Sequence, residues 1–554
     1  MKSNTSYYIC ITFFLFFWNS ILTQQISLQI TSKLKSELDV LATLDYQKKH
    51  KDSVSIQSEI TKVSKFLKNS GYFTLTIDSV LKNENIQTAY ISLQQKIENA
   101  RIKIRTEHKP YFKDFEIVDN IVTLPIIYLE NTLSNVTKEL DSQGKSFSKV
   151  QLKKIAIKEN TLFAVLEIKE SEKRTINKVI IKDYESFPIS FLKNYFTIQP
   201  NTVFTQQKIK EISEATKTLP FVSEIKPPEV LFTNDSTFLY LYFKKLNNNS
   251  FDGIVNFASK EDGGILFNGN IDLQLNNILN TGERFAVFWN SIGEERQEFK
   301  LATEIPYVFN TKVSPQVAFS IYKQDSTFIN TKLDAKLWYH IHPRIKLGVN
   351  YSSENSENLI ENNIGMVTKF NNYFVGFQLE YSKPKKDFFL NDTFHLYINP
   401  TIGKRTTGTN ASNQFKIEAS ASYIWDISLK GSIYIKNSTG LLNSDSFVDN
   451  ELFRIGGANS VRGFNEQSIF TSRYSYFNIE YRYLTSQKSY FYSITDLGRV
   501  KTTFNNQNLL GLGLGYLFTN KNSQINISTS IGKTDTQNFN FNNSKLIIGW
   551  KNYF

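Results

Sequence analysis

Residues 415–425 read FKIEASASYIW. In an extended strand Phe415, Ile417, Ala419, Ala421, Tyr423 and Trp425 fall on one face. Lys416, Glu418, Ser420 and Ser422 fall on the other, because strand side chains alternate with a period of two. Such a strand fits a sheet whose two faces meet different media. The pattern recurs in 265–278, where Ile265, Phe267, Ile271, Leu273 and Leu275 alternate with Asn268, Asn270, Asp272, Gln274 and Asn276. In 524–531, Ile525, Ile527 and Ile531 alternate with Gln524, Asn526, Ser528 and Ser530. From Phe251 onward about sixteen such segments span roughly three hundred residues, a spacing typical of a membrane barrel with short turns. A soluble sandwich or propeller would show shorter strands, more often broken by Gly and Pro. The expected fold of residues 250–554 is therefore an all-β, 16-stranded antiparallel transmembrane barrel.

Composition agrees. The 554 residues include 45 Phe and 28 Tyr, and aromatic residues make up 14% of the chain, which suits interfacial girdles. The chain opens Met1-Lys2, runs apolar from Tyr7 to Trp18, and turns polar at Asn19-Ser20 and Thr23-Gln24-Gln25. A basic start, a short apolar core and a polar exit predict a secretory signal peptide over 1–23. No later apolar run is long enough for a transmembrane helix. The single cysteine, Cys10, lies inside that signal. Disulfides, thiolate metal sites and cysteine nucleophiles are thereby excluded from the mature chain. The net charge of +12 is spread along the sequence, with no basic stripe of the kind that binds nucleic acid.

Before Asn247-Asn248-Asn249-Ser250 the chain alternates strand-like and helical pieces, in three units over 26–98, 99–171 and 172–246. In the third, Thr175–Ile181 reads as a strand, Ser190–Phe196 and Thr205–Thr218 as helices, and 223–232 with 236–243 as a hairpin. The order is strand, helix, helix, strand, strand. The first unit repeats it less cleanly. A helix over Ser58–Asn69 precedes Gly71-Tyr72-Phe73, which is read as opening a strand ending near Val80. In the middle unit a strand at Ala100–Arg105, a helix within Pro125–Leu140 and a hairpin at 152–157 and 161–168 are expected. The fold class is thus α+β repeats followed by the barrel.

Ahead of the twelfth barrel strand stands Phe453-Arg-Ile-Gly-Gly-Ala-Asn-Ser-Val-Arg-Gly-Phe464. It resembles the GG-x-x-S-V-R-G-F loop of the BamA/TamA superfamily of outer-membrane assembly and translocation barrels. The resemblance implies that Gly456, Gly457, Ser460, Val461, Arg462, Gly463 and Phe464 form a loop folded back into the lumen. It also implies that Arg462 meets acidic groups on the inner wall. Alternation puts Asn478, Glu480 and Arg482 on the face opposite Phe477, Ile479, Tyr481 and Tyr483, so Glu480 faces the lumen. Ile494-Thr-Asp-Leu-Gly498 is similar to the family's aromatic-x-Asp-x-Gly, which makes Asp496 and Gly498 further wall candidates, with Ile494 in the aromatic's place. The terminal Lys545–Phe554 resembles the assembly signal of such barrels, ending on Phe554. The three N-terminal units resemble POTRA (polypeptide-transport-associated) domains, in a layout closest to TamA.

The resemblance implies insertion or translocation of proteins at the bacterial outer membrane, with the N-terminal domains in the periplasm. Exposed sheet edges there can accept unfolded outer-membrane or secreted clients by β-augmentation. The barrel would deliver them through its lumen or a lateral seam, for which Gly253 and Gly549 in the first and last strands are candidates. Membrane lipid and periplasmic or inner-membrane accessory proteins are the other expected partners. Two alternatives are a two-partner secretion translocator serving one dedicated exported protein and a passive outer-membrane pore. No P-loop, H-E-x-x-H or G-x-S-x-G is present, so no catalytic residue is expected. His340 and His342 could share a strand face, but two histidines without a third ligand make a poor metal site. No metal or cofactor is expected.

Overall fold

The computed structural model describes residues 26–259, 265–292, 296–359, 367–385, 387, 389, 391–502, 505–520 and 522–554. The expected signal segment, 1–23, lies outside them. The chain divides into two compact units, one of residues 1–174 with 203–207 and one of 175–202 with 208–554.

The first unit holds two sheets. In the first, Ile26–Thr31 lies parallel to Ile86–Ser92, flanked by Lys49–His50 and Thr76–Asn83. Helices Lys35–Ala42 and Ser53–Asn69 accompany this sheet. The longer one starts at Asp52, whose carboxylate accepts the Ser55 amide at 2.8 Å and satisfies one of the free N–H groups of the first turn. Its Ile56, Ile60, Val63 and Leu67 recur at helical spacing and are buried against Leu28, Ala89 and Ile91. Gly71 does not open a strand. It sits at φ +108° just past the helix, where the Tyr72 amide donates back to the Leu67 carbonyl at 3.0 Å. The following strand begins only at Thr76.

The second sheet orders Glu116–Val118, Ile121–Pro125, Asn99–Lys103, Thr161–Lys169 and Lys149–Lys158. Only one α-helix, Leu129–Ser142, belongs to this module. The first helix of the expected order is replaced by a 3₁₀ turn, Thr106–Phe112, and a small hairpin. Pro110 inside that turn removes a backbone donor, and Ile117, Val118, Ile121, Val122 and Thr123 favour extended backbone. The strand-helix-helix-strand-strand order therefore does not hold in this module.

The second unit begins with a smaller sheet, Lys178–Lys182, Thr237–Lys245 and Val222–Phe232. Helices Ile189–Asn194 and Gln206–Thr216 precede its hairpin. Its core is aromatic: the Phe187 ring lies 5.2 Å from Phe243 and 6.2 Å from both Phe196 and Phe221. The same cluster reaches the barrel. Phe191 packs edge-on against Tyr307 at 4.9 Å, in the turn after the fourth barrel strand. Asn277 donates to the Tyr184 hydroxyl at 2.6 Å, and Asn194 to Asn310 at 3.2 Å. Gly282 keeps the socket open, since a Cβ there would lie 2.3 Å from the Phe191 ring.

The barrel is closed and has sixteen antiparallel strands. They are β1 Ser250–Ser259, β2 Ile265–Asn276, β3 Arg284–Ile292, β4 Arg296–Glu304, β5 Val313–Gln324, β6 Phe328–His342, β7 Ile345–Asn358 and β8 Phe370–Pro384. After these come β9 Asp392–Thr407, β10 Asn410–Asp426, β11 Gly431–Ser444, β12 Arg473–Ser486, β13 Ser489–Lys501, β14 Asn506–Asn520, β15 Ser523–Thr534 and β16 Lys545–Tyr553. Along β6, Leu333, Leu337 and Tyr339 are exposed on the outside, while Asn330, Trp338 and His340 are buried within. Along β10, Phe415, Tyr423 and Trp425 face out, and Lys416 bonds Glu418 at 2.7 Å inside. Closure joins the last strand to the first, over Ser250–Asp252 and Lys551–Tyr553 among the described residues. No helix among the described residues is long and apolar enough to cross a membrane; the crossing is made by strands. The near rim carries both strand ends of the barrel and the turns that hold Asn277 and Tyr307.

Candidate functional site: an arginine loop seated in the barrel

Between β11 and β12 the chain leaves the far rim and folds inward. A short ribbon of Phe453–Ile455 and Ile469–Thr471 holds the two limbs of the loop together. Three glycines make the tip, at φ +109° (Gly456), +96° (Gly457) and +94° (Gly463), a region that side chains disfavour. The Ser460 hydroxyl accepts the Gly456 amide at 2.7 Å, and the Gly457 amide donates to the Val461 carbonyl at 3.1 Å. These bonds curl the tip and present Arg462 to the wall.

The Arg462 guanidinium lies flat against Asp496 on β13. Its Nε donates to Oδ2 at 2.9 Å and its Nη2 to Oδ1 at 2.7 Å. The Arg462 amide adds a third bond to Oδ2 at 2.7 Å. Its Nη1 donates to Glu480 of β12 at 2.5 Å. The other Glu480 oxygen is taken by Arg482, whose guanidinium lies 4.2 Å over the Tyr434 ring. Two arginines thus face two carboxylates and the cluster is formally neutral, which a group this far from water requires. Asp496 is fully buried. The planar fork of Arg suits this side-on carboxylate in a way that a Lys ammonium does not.

Apolar contacts complete the seat. Val461 is fully buried with Ile455, Tyr476, Val500 and Leu509, and Phe464 packs beside them. Asn478 donates to the Ser460 carbonyl at 2.7 Å. On β14, Gly511 lets the loop backbone approach: a Cβ there would lie 2.1 Å from the Arg462 carbonyl oxygen. Across the lumen, Gln467 donates to Glu298 on β4 at 2.8 Å, Arg296 donates to the Glu466 carbonyl, and Arg454 stacks 3.4 Å over Tyr322.

Other candidates lie elsewhere. Gly498 pairs with Tyr476 and Leu509 and touches the loop's neighbours rather than the loop. Ile494 packs with Tyr490 and Tyr492, away from the tip. Among the described residues β1 and β16 share three register pairs, Ser250 with Tyr553, Phe251 with Asn552 and Asp252 with Lys551. Gly253 and Gly549 fall outside those pairs, and nothing lies closer than 4.0 Å to a Cβ built at Gly549. The Phe554 amide donates to Asn249 at 3.0 Å, beyond the last strand. His340 and His342 do not share an environment, because a register shift separates them. His340 is buried against the Ser314 hydroxyl at 2.8 Å, whereas His342 is exposed on the rim. No group of three metal-ligating side chains occurs among the described residues.

Sequence reasoning missed Gly511 and the pairing of Arg405 with Glu451. The first had a signal, since glycines at 511, 513 and 515 alternate on one strand face. The second had none.

A sequence profile of the family described as haemolysin secretion/activation protein ShlB/FhaC/HecB matches residues 321–518, which include the loop and its wall strands. No individual curated protein matches at the sequence level. Among solved structures, CdiB from Acinetobacter baumannii is similar at 14% identity and a TM-score of 0.52, covering 90% of this chain and 97% of that one. CdiB from Escherichia coli follows at 14% identity and 0.49, with the same coverage. BamA from Haemophilus ducreyi lacking POTRA domains 1–3 matches at 12% and 0.45, covering 76% and 92%. At this identity the first likeness speaks for a shared fold. The profile match covers part of the barrel only, residues 321–518.

Proposed function

We propose that this chain moves protein clients through the bacterial outer membrane, as the pore for an exported protein. The observation that carries the reading is the loop held inside the barrel by Arg462 between Glu480 and Asp496. A passive pore has no need of a buried charge cluster that fastens an inward-folded loop to its wall. The N-terminal modules, read as POTRA-like domains at 26–98, 99–171 and 172–246 in the periplasm, offer sheet edges for an extended client. The profile match to haemolysin secretion proteins favours export over membrane insertion. Insertion of outer-membrane proteins through the β1–β16 seam is the second reading. It is favoured by the short pairing at that seam among the described residues.

Deleting the gene and comparing proteomes separates the two readings. Loss of one or a few proteins from the culture medium, with the outer membrane unchanged, is the result expected. Broad loss of barrel proteins from the outer membrane would favour insertion. No change in either fraction would overturn both.

A further inference from the structure

Under the loop the lumen is not filled. A cavity of about 840 Å³ extends from Gln274, Arg284 and Glu304 toward the near rim up to Lys300, Asp334 and Arg454. Lys300, Asp334 and Arg454 also line a second cavity of about 280 Å³, whose far wall is Glu451, Leu452 and Phe453. The void thus runs upward along the β2–β6 side of the barrel and meets the base of the loop.

That base, residues 446–451, is tied to a different arc of wall from the one that holds Arg462. Arg405 of β9 donates to the Ser446 carbonyl at 3.1 Å, to its hydroxyl at 2.7 Å, and to Glu451. Gln414 of β10 donates to the other Glu451 oxygen at 2.9 Å. The Arg405 and Glu451 side chains are only 4% and 1% exposed, so this pair is drier than the Arg462 cluster's arginine at 10%. One residue earlier, Asn450 donates to Ser356 of β7 at 2.6 Å and to the Thr368 carbonyl at 2.9 Å. Asn330 of β6 donates to the Asn450 carbonyl at 2.7 Å. A single 3₁₀ turn, Asp449–Glu451, is therefore fastened to four strands near their far-rim ends.

Here the polarity is reversed. At the tip, the loop supplies the cation and the wall the carboxylates. At the base, the loop supplies the carboxylate and the wall the cation. Neither cluster shares a residue with the other, so each can be broken alone.

We propose that residues 446–451 are a second latch, a roof over the upper end of this void, and that it must release for ions or a client to pass. The proposal rests on the reading that the lumen is the route, but its test needs no client. The full-length chain is reconstituted in planar bilayers and its conductance recorded. Glu451→Gln removes the charge and Asn450→Ala removes the bond to Ser356 of β7 and those to Thr368. Each loses hydrogen bonds in a dry site, so the open fraction rises at least about tenfold. Correct folding is checked for each variant by heat-dependent gel mobility. Should Glu451→Gln fail to fold, Asn450→Ala and Ser446→Gly read the same latch without touching the ion pair.

A converse experiment closes it. Asn450→Cys with Ser356→Cys places two thiols where side chains now touch at 2.6 Å, and the only other cysteine is Cys10. Oxidation should abolish openings and reduction should restore them. Folded Glu451→Gln and Asn450→Ala barrels with wild-type conductance would overturn the latch, as would unchanged openings in the oxidised pair. If the latch gates conductance while gene deletion alters no exported protein, the latch stands and the export reading falls.

Discussion

Arg462→Ala is the most informative perturbation of the loop seat. It removes three side-chain hydrogen bonds to carboxylates, two to Asp496 and one to Glu480. Glu480 keeps Arg482. Asp496 keeps only the backbone amide of residue 462, and it is fully buried. The loss therefore falls on one stranded carboxylate. Removing one partner of a buried pair costs about 3–5 kcal/mol, chiefly because the remaining charge is left without compensation. Arg462→Lys keeps the charge but cannot span Asp496 and Glu480 in one plane, so roughly half that loss is expected. Asp496→Asn combined with Arg462→Ala removes both charges and should recover part of the deficit, giving a coupling of about 1–3 kcal/mol in a double-mutant cycle. The assay is equilibrium urea unfolding of the barrel in lipid vesicles, with the loop's protease sensitivity followed in parallel. A loss below about 1 kcal/mol for Arg462→Ala, the range of an exposed ion pair, would refute the reasoning.

Further predictions follow from contact geometry. Gly463→Ala puts a Cβ 2.5 Å from the backbone of Ile531 at φ +94°, so the loop tip cannot seat and protease sensitivity should match or exceed that of Arg462→Ala. Gly511→Val should act the same way from the wall, because its side chain would meet the Arg462 carbonyl; an intact seat by proteolysis would contradict this. Phe191→Ala empties the socket against Tyr307 and should release residues 175–245 from the near rim, read as a new protease-sensitive site near 246–249 with the barrel still folded. A disulfide formed by Ser250→Cys with Tyr553→Cys closes the seam at a register pair. Export should persist in the oxidised barrel, whereas insertion through the seam should stop.

The barrel was legible because lipid outside and water inside impose a period of two over long stretches, and Phe415–Trp425 carries that period cleanly. The loop was legible as a motif, and the period also placed Glu480 on the lumen face. Three features escaped for distinct reasons. The repeat order fails in the middle module because Pro110 and the β-branched run after it stand where the order would place a first helix. His340 and His342 look paired until a bulge breaks the alternation between them. Arg405 and Glu451 are 46 residues apart on a loop and a strand with no shared period, and only the folded lumen brings them together. Side-chain periodicity locates a residue on a face. It does not say which distant segment will come to lie on that face.

The central claim is that a polypeptide passes through this lumen. A photo-crosslinking amino acid at Lys336, which lines the cavity, and at the neighbouring outward-facing Leu337 tests it most directly in living cells. Adducts to an exported protein from position 336, absent from 337, are predicted, and they should increase when Glu451→Gln loosens the roof. A folded barrel that gives no polypeptide adduct at 336 while export continues would contradict the account.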